Sequence, residues 1–302
     1  LARCNPENCH HASRELRIPL GIYNVSISRV SDKVGRLCAL LEKYFAHPDG
    51  ASQHRTDDDL MQEVIDYIEL SLYAAAEHVD DLEAIASGFF ANNVFRDKNP
   101  HFRTLQKQIK KHKKLISAAA NAIKHQQARI RMFSLEYSHM GNVGCFHGYF
   151  IEGVKDGVVL PSQIFHRDQQ VFSITSLAWE IIVFLLECSS DLSIFLDQLS
   201  RQIAGPMNVQ CPIFSKAVVA AARLPLYTFG EEHPFSRAAV SLSLSEENDD
   251  VLKSNLYGSI INRWINLGEP VFGSFIARFS GDGVTKSFQL PRPKSVAFAH
   301  WS

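Results

Sequence analysis

The chain has 302 residues, 46% of them apolar and 21% charged, a composition that excludes a disordered or fibrous protein and supplies one large core or two ordinary ones. Its 31 lysines and arginines nearly cancel 32 acids, so no global positive field draws in nucleic acid or an anionic membrane, and any polyanion site must be local. The longest apolar stretch, near residues 181–186, falls far short of the roughly 20 that span a bilayer.

Residues 1–25 combine Pro6, Pro19 and Gly21 with polar groups and no sustained period, which reads as an arm or loop. From Ile27 the apolar positions Val30, Val34, Leu37, Leu41 and Tyr44 recur every three or four residues, the stripe of an amphipathic helix. A second helix is expected from Thr56 as N-cap, with Asp57, Asp58 and Asp59 at the positive end of its dipole and a break near Gly88. A third starts after Asn99, a good N-cap, with Pro100 where no amide donor is needed; Phe102, Leu105, Ile109, Ile116, Ala119 and Ile123 form its apolar face up to Arg131.

Beyond Arg131 the period shortens, predicting strands over residues 132–137 and 145–154 around a Gly141-Asn142 turn, and a second turn at Lys155-Asp156-Gly157. Residues 172–199 are rich in large apolar side chains and read as a helix buried on most sides. Past Gly205-Pro206 short strands are expected at 238–244 and 272–279, a helix at 249–267, and a hairpin turn at Ser280-Gly281-Asp282-Gly283 before a strand over 285–290.

Charge is segregated along the chain. Between Asp57 and Glu83 there are ten acids and no lysine or arginine. Between Asn99 and Arg131 the charges are Arg103, Lys107, Lys110, Lys111, Lys113, Lys114, Lys124, Arg129 and Arg131, with no acid. One consequence is that the two helices pack antiparallel and neutralise each other. The other is that Lys107, Lys110, Lys111, Lys113 and Lys114 stay open and bind RNA phosphates, each contact releasing a counterion.

At the end of the basic helix stand Asn121, Lys124, His125 and Arg129. Asn121, His125 and Arg129 are spaced by four, so on a continuous helix they share a face. An imidazole can take a proton from a ribose hydroxyl while neighbouring cations hold the phosphate that gains charge, so His125, Asn121, Arg129 and Lys124 are the candidate catalytic residues for metal-free RNA cleavage.

Here the sequence resembles the HEPN superfamily, helical-bundle domains whose nuclease members carry an Arg, usually an adjacent Asn, and a His five residues after the Arg. In that register Asn121 and His125 match, whereas Ala120 stands in the place of the arginine. The resemblance covers at most residues 56–131. It implies a dimer interface at which the motif residues of two subunits meet, and the missing arginine puts cleavage itself in question. A lysine at 124 is a point charge and does not copy a guanidinium fork. A second pair with this spacing, Arg96 and His101, is a reserve candidate, although Asn99-Pro100 should start a helix between them and give Asp97 and Asn99 a turn-and-cap role.

Other clusters have plainer readings. Cys4, Cys9, His10 and His11 lack the spacing of a zinc site and read as a polar tail. Cys145 and His147 share a strand face near His139, consistent with a metal or thiol site but more simply with core filler and a surface histidine. Asp168, Glu180 and Glu187 are acids around the apolar helix; Glu180 and Glu187, seven apart, share a side and could hold an ion or a proton, although solvated flanks explain them equally well. The glycines at 141 and 144 lack the lysine and helix of a phosphate loop, and no hydrolase, zinc-protease or dinucleotide fingerprint occurs.

The reading is therefore an α+β protein, predominantly helical, with a bundle over 26–131 and a mixed strand and helix part over 132–302 packed on it. Six dispersed cysteines point to reduced thiols and a cytoplasmic location, with no metal, cofactor or membrane partner. The functional expectation is a HEPN-like protein of RNA or stress-defence biology, either a metal-independent endoribonuclease or a degenerate RNA-binding relative that pairs with itself or a protein partner. The rival is a non-enzymatic interaction or scaffold module, with the charged hairpin as internal packing.

Overall fold

The computed structural model describes residues 1–2, 4, 8–46, 58–126, 128–139, 142–166, 171–199 and 211–229, together with short backbone segments between 239 and 299. The protein is mainly helical, of the α+β class. Helix α1 (Pro19–Ala46) begins eight residues before Ile27, so the expected arm is shorter than its composition implies. Pro19 at the first helical position explains why: a residue that locks φ and lacks an amide donor starts a helix as readily as it marks a loop.

Helix α2 (Asp58–Ser87) stops at Gly88, as the glycine signal predicts, and runs antiparallel to α1. Ser26 meets His78, and Pro19 packs so close to Gly88 that a Cβ there would lie 3.2 Å from its ring. A short helix α3 (Asn93–Lys98), absent from the periodicity reading, is capped by Asn92, whose Oδ1 accepts from Phe95 N–H at 3.0 Å. Helix α4 (Pro100–His112) is capped by Asn99, whose Oδ1 accepts from His101 and Phe102 N–H at 2.9 and 3.0 Å.

The rod does not continue to Arg131. It passes through a π-helical turn (Lys113–Ser117) into α5 (Ala118–His125) and then leaves helical conformation. The buried positions Phe102, Leu105, Ile109, His112, Ile116, Ala119 and Ile123 keep a spacing of three or four through the π turn, so one apolar seam faces the core along the whole rod.

Strands β1 (Ile130–His139) and β2 (Asn142–Lys155) pair antiparallel, Ile130 opposite Ile151 and His139 opposite Asn142. The Asn142 end of this hairpin matches expectation, while residues 140 and 141 lie outside the described part. The turn to β3 (Val158–Pro161) uses Asp156 at φ 53° and Gly157 at φ 77°, the left-handed pair that a tight hairpin needs. A two-residue β4 (Phe172–Ser173) also pairs with β2, and precedes α6 (Ser176–Gln198), the expected buried helix.

Helix α7 (Pro212–Ala222) was not anticipated; it lies along α1, with Gly35 beside Ala217 and Arg223 paired to Glu42. Then come β5 (Tyr227–Thr228), β6 (Ala239–Leu244), β7 (Leu252–Tyr257), β8 (Trp264–Asn266), β9 (Phe272–Phe275), β10 (Ser287–Phe288) and β11 (Ala297–Ala299). The helix expected over 249–267 is replaced by strands, because β6 and β7 pair residue for residue as neighbouring strands and β8 pairs with β11, and this pairing overrides weak local helical spacing. The Ser280 to Gly283 turn falls outside the described residues.

The main sheet has the order β10-β3-β2-β1-β9, antiparallel except for the β10–β3 pair. One continuous core runs from Ile27 to Phe229 and joins sheet and helices. Helix α6 closes it: Phe195 packs on Phe102 and Phe90 at one end, and Phe184 on His112 and His78 further along. Among the described residues, no helix is long and apolar enough to cross a membrane.

Candidate functional surface on the basic rod

Because the seam residues face inward, the opposite face of α4 carries what is left, and what is left is cationic. Arg103, Lys107, Lys110, Lys111 and Lys114 are all exposed. Lys107 and Lys110 on α4 and Lys114 on the π turn that follows are spaced by three and four, and Arg103, Lys107 and Lys111 by four, which puts them on one side of the rod. Lys113, one step round the rod, is half-buried and lies 3.4 Å from Asp80 and 3.1 Å from Glu83 of α2. These acids raise its pKa against the opposing effect of burial.

The two consequences of charge segregation are therefore divided between residues. Lys113 forms the neutralising contact with the acidic helix. Lys111 sits within electrostatic reach of Glu187 and Asp191 of α6, both of whose pKa values are raised by burial and partly pulled back by that ammonium. Lys107, Lys110 and Lys114 have no ion pair among the described residues.

The candidate catalytic group is only partly brought together. Asn121, Lys124 and His125 are exposed at the end of α5. Arg129 is exposed too, but lies beyond the helix, before β1, so the face it was expected to share with Asn121 and His125 does not extend to it. It lies instead near Glu69 of α2, whose carboxyl is pushed up by burial and drawn down by this arginine. The reason is helix termination: the rod ends at Gln126, and Ala128 N–H bonds back to the Ala122 carbonyl at 3.2 Å. Ala120, in the place of the motif arginine, is only 5% exposed and faces the interior.

The reserve pair separates. Arg96 bonds to Asp97 and Ser87 and lies 5.2 Å over the Phe102 ring, whereas His101 occupies the first turn of α4. The helix start at Asn99-Pro100 puts the two on different helices.

The interior holds a polar cluster that the sequence reading missed, and it also holds Glu180, which is buried rather than on a solvated flank. Ser26, His78 and His112 are polar groups inside the bundle: the Ser26 hydroxyl and His78 Nδ1 are 2.8 Å apart, and Phe184 packs edge-on against both rings, with centroids 5.8 Å from His78 and 5.0 Å from His112. Burial lowers both histidines to about 4. His112 Nε2 is 3.8 Å from Glu187, an ion pair only if the ring is protonated; burial keeps it neutral, so this contact is weakly polar. Glu180 on α6 is driven up to about 8 by burial, against a hydrogen bond from Ser176 that lowers it. The available signal was position: His112 falls in the seam between Ile109 and Ile116, and His78 between Ala75 and Leu82.

His147, expected as a surface histidine, is instead buried on β2, with Nδ1 2.7 Å from the Ser134 hydroxyl. The Tyr227 hydroxyl donates to the His147 carbonyl at 2.7 Å and accepts from its N–H at 3.1 Å, tying β5 to the sheet. No group of three or more His, Cys, Asp or Glu among the described residues is placed to hold a metal ion. Asp168 lies outside the described residues. No family model matches the chain, nor does any curated protein or solved structure.

Proposed function

We propose that this chain binds RNA along the exposed face of α4 and α5 as a HEPN-like protein that no longer cleaves. The observation that carries the reading is the unbalanced cationic stripe of Lys107, Lys110 and Lys114 on a rod with no acid between Asn99 and Arg131. Seven residues of helix place Lys107 and Lys114 about 10 Å apart along the axis at ~1.5 Å per residue, a reach suited to successive phosphates of one strand. Exposed Lys124, His125 and Arg129 continue the polar surface past the end of the rod.

Binding without cleavage follows from Ala120 and Arg129. An arginine at position 120 would have to displace core, and Arg129 lies off the helix that carries His125. Helix α5 itself thus carries no guanidinium beside the imidazole.

The test is binding of a labelled single-stranded RNA across salt, in chelator, by wild type and by the triple variant Lys107→Ala, Lys110→Ala, Lys114→Ala. Three phosphate contacts give a log-affinity against log-salt slope of about −2, at ~0.7 per contact for single strands, and the triple variant loses it. Undetectable binding, or binding indifferent to the triple substitution, rejects the proposal. Cleavage that disappears in His125→Ala would restore the nuclease reading.

One observation favours an interaction module instead. Val94 and Phe95 on α3 are 60% and 63% exposed, a pair of apolar side chains turned to solvent. Monomeric behaviour of the full chain, unchanged by Phe95→Ser, would dispose of that alternative.

A further inference from the structure

Where α5 ends against the β2–β3 hairpin there is a cavity of about 500 Å³, within the roughly 300 to 1,000 Å³ of pockets that take a small organic molecule. Its walls are apolar at Ala128, Val154, Ile164 and Phe165, and polar at Gln126 and Glu152. Val154 and Ile164, large side chains of its lining, are 73% and 77% exposed. The opposite wall is tight: a Cβ on Gly153 would lie 2.9 Å from Ser162 Cα.

The carboxylate is built in. Arg131 Nε donates to Glu152 Oε1 at 2.7 Å, and Nη2 stands 2.6 Å from the same oxygen, in a pair with side chains only 13% and 8% exposed. The Glu152 N–H donates to the Arg129 carbonyl at 2.8 Å, fixing the backbone on which the carboxylate stands. Both of these contacts fall on Oε1, in a carboxylate at the cavity wall. Lys155 also lines the cavity, and Lys124 and Arg129 flank the lining residues Gln126 and Ala128 in sequence.

We propose that this cavity is a nucleobase site selective for guanine, taking one unstacked base of the strand bound along α4; the placement of that strand rests on the RNA-binding reading above. A flat heterocycle suits the apolar rim and Phe165, since aromatic side chains stack on any base. Selectivity comes from the polar pair. Guanine presents adjacent N1–H and N2–H donors to the Glu152 carboxylate and its O6 to the Gln126 amide. Adenine and cytosine set a ring-nitrogen lone pair against the carboxylate, and uracil offers one ring N–H between two carbonyls. The sugar and phosphate leave past Lys155 toward Arg129 and Lys124.

Two measurements on the full chain separate this proposal from the one it rests on. Calorimetric titration with GMP, AMP, CMP and UMP reads the cavity alone. GMP is expected to bind at least tenfold more tightly than the other three. Ala128→Leu, which fills the wall and leaves the ion pair in place, should cost at least tenfold, and Glu152→Gln should level the four affinities. GMP binding no tighter than UMP, or unaffected by Ala128→Leu in a protein with wild-type melting temperature, overturns the guanine site.

Titration with a uridine decamer and with the same decamer carrying one central guanosine reads the strand. Salt-dependent binding of both decamers with no guanosine preference overturns the cavity and keeps the surface. GMP binding with no binding of either decamer keeps the cavity as a mononucleotide site and overturns the surface. Absence of both removes both proposals.

Discussion

His112 and His125 stand on one helical rod, thirteen residues apart, and have opposite fates. His112 falls in the apolar seam, 4% exposed against Phe184, and burial holds it neutral down to about pH 4. His125 is in solvent at the end of α5, beside Lys124 and Asn121. The same side chain is a packing element at one place and an available polar group at the other. Residue type and charge therefore say little about function until the seam is located, and the seam is a property of the rod's contacts with α2 and α6.

The comparison breaks most easily at its inner half. Phe184, fully buried between His78 and His112, separates two rings with few polar contacts, so Phe184→Ala should cost about 3–5 kcal/mol in denaturant unfolding. A loss below 1 kcal/mol would mean that the interior does not pack as described.

Glu180 comes next, and its sign is unusual. The unfolded carboxyl ionises near 4.5, while the folded one keeps its proton to about 8, so stability falls as pH rises across that window. Its Oε1 has no hydrogen-bond partner among the described residues. Glu180→Leu should raise stability by on the order of a few kcal/mol at pH 8 and change little at pH 4. Equal effects at the two pH values would show the carboxyl to be solvated.

Acid should act in the opposite direction through the histidines. The unfolded chain takes up protons on these rings from about pH 6.5 downward, whereas the folded rings resist to about 4, so stability drops as pH falls through that interval. His112→Phe, which suits an apolar slot, should shrink the drop measured by unfolding at pH 7 and pH 4. An unchanged drop would assign it to other groups.

The smallest effects belong to the outer half. Lys113→Ala loses a partly exposed ion pair and should cost ~0–1 kcal/mol while leaving RNA affinity within about twofold. His125→Ala should stay within about 0.5 kcal/mol of wild type. A larger loss at either position would mean that the outer face carries structure that the exposed setting of its side chains does not explain.

Much of the helical half was legible because its signals are local. Asn99 caps α4 and Pro100 opens it, Gly88 ends α2, and the period of three to four from Val30 to Leu41 marks the buried face of α1. The hairpin turn at Asp156-Gly157 was equally readable, since a left-handed pair favours glycine. The strands over 252–257 and 264–266 were not, because cross-strand pairing sets them, with the neighbouring β6 for the first and the distant β11 for the second. The point at which the basic rod stops was missed for a related reason: no proline or glycine marks Gln126, and the chain leaves the helix to enter β1.

From the order of residues alone come the capped starts, the apolar stripes and the partition of acids to one helix and cations to the next, since each depends on neighbours within a turn or two. Only the packed chain decides that Lys113 is neutralised while Lys107, Lys110 and Lys114 are not, that Ala120 faces inward, that Arg129 leaves the His125 face, and that Glu152 is fixed by Arg131 at the wall of a cavity. These outcomes depend on which surfaces of α2, α6 and the sheet meet the rod, and burial and pairing between residues far apart in sequence are settled by tertiary contacts rather than by local periodicity.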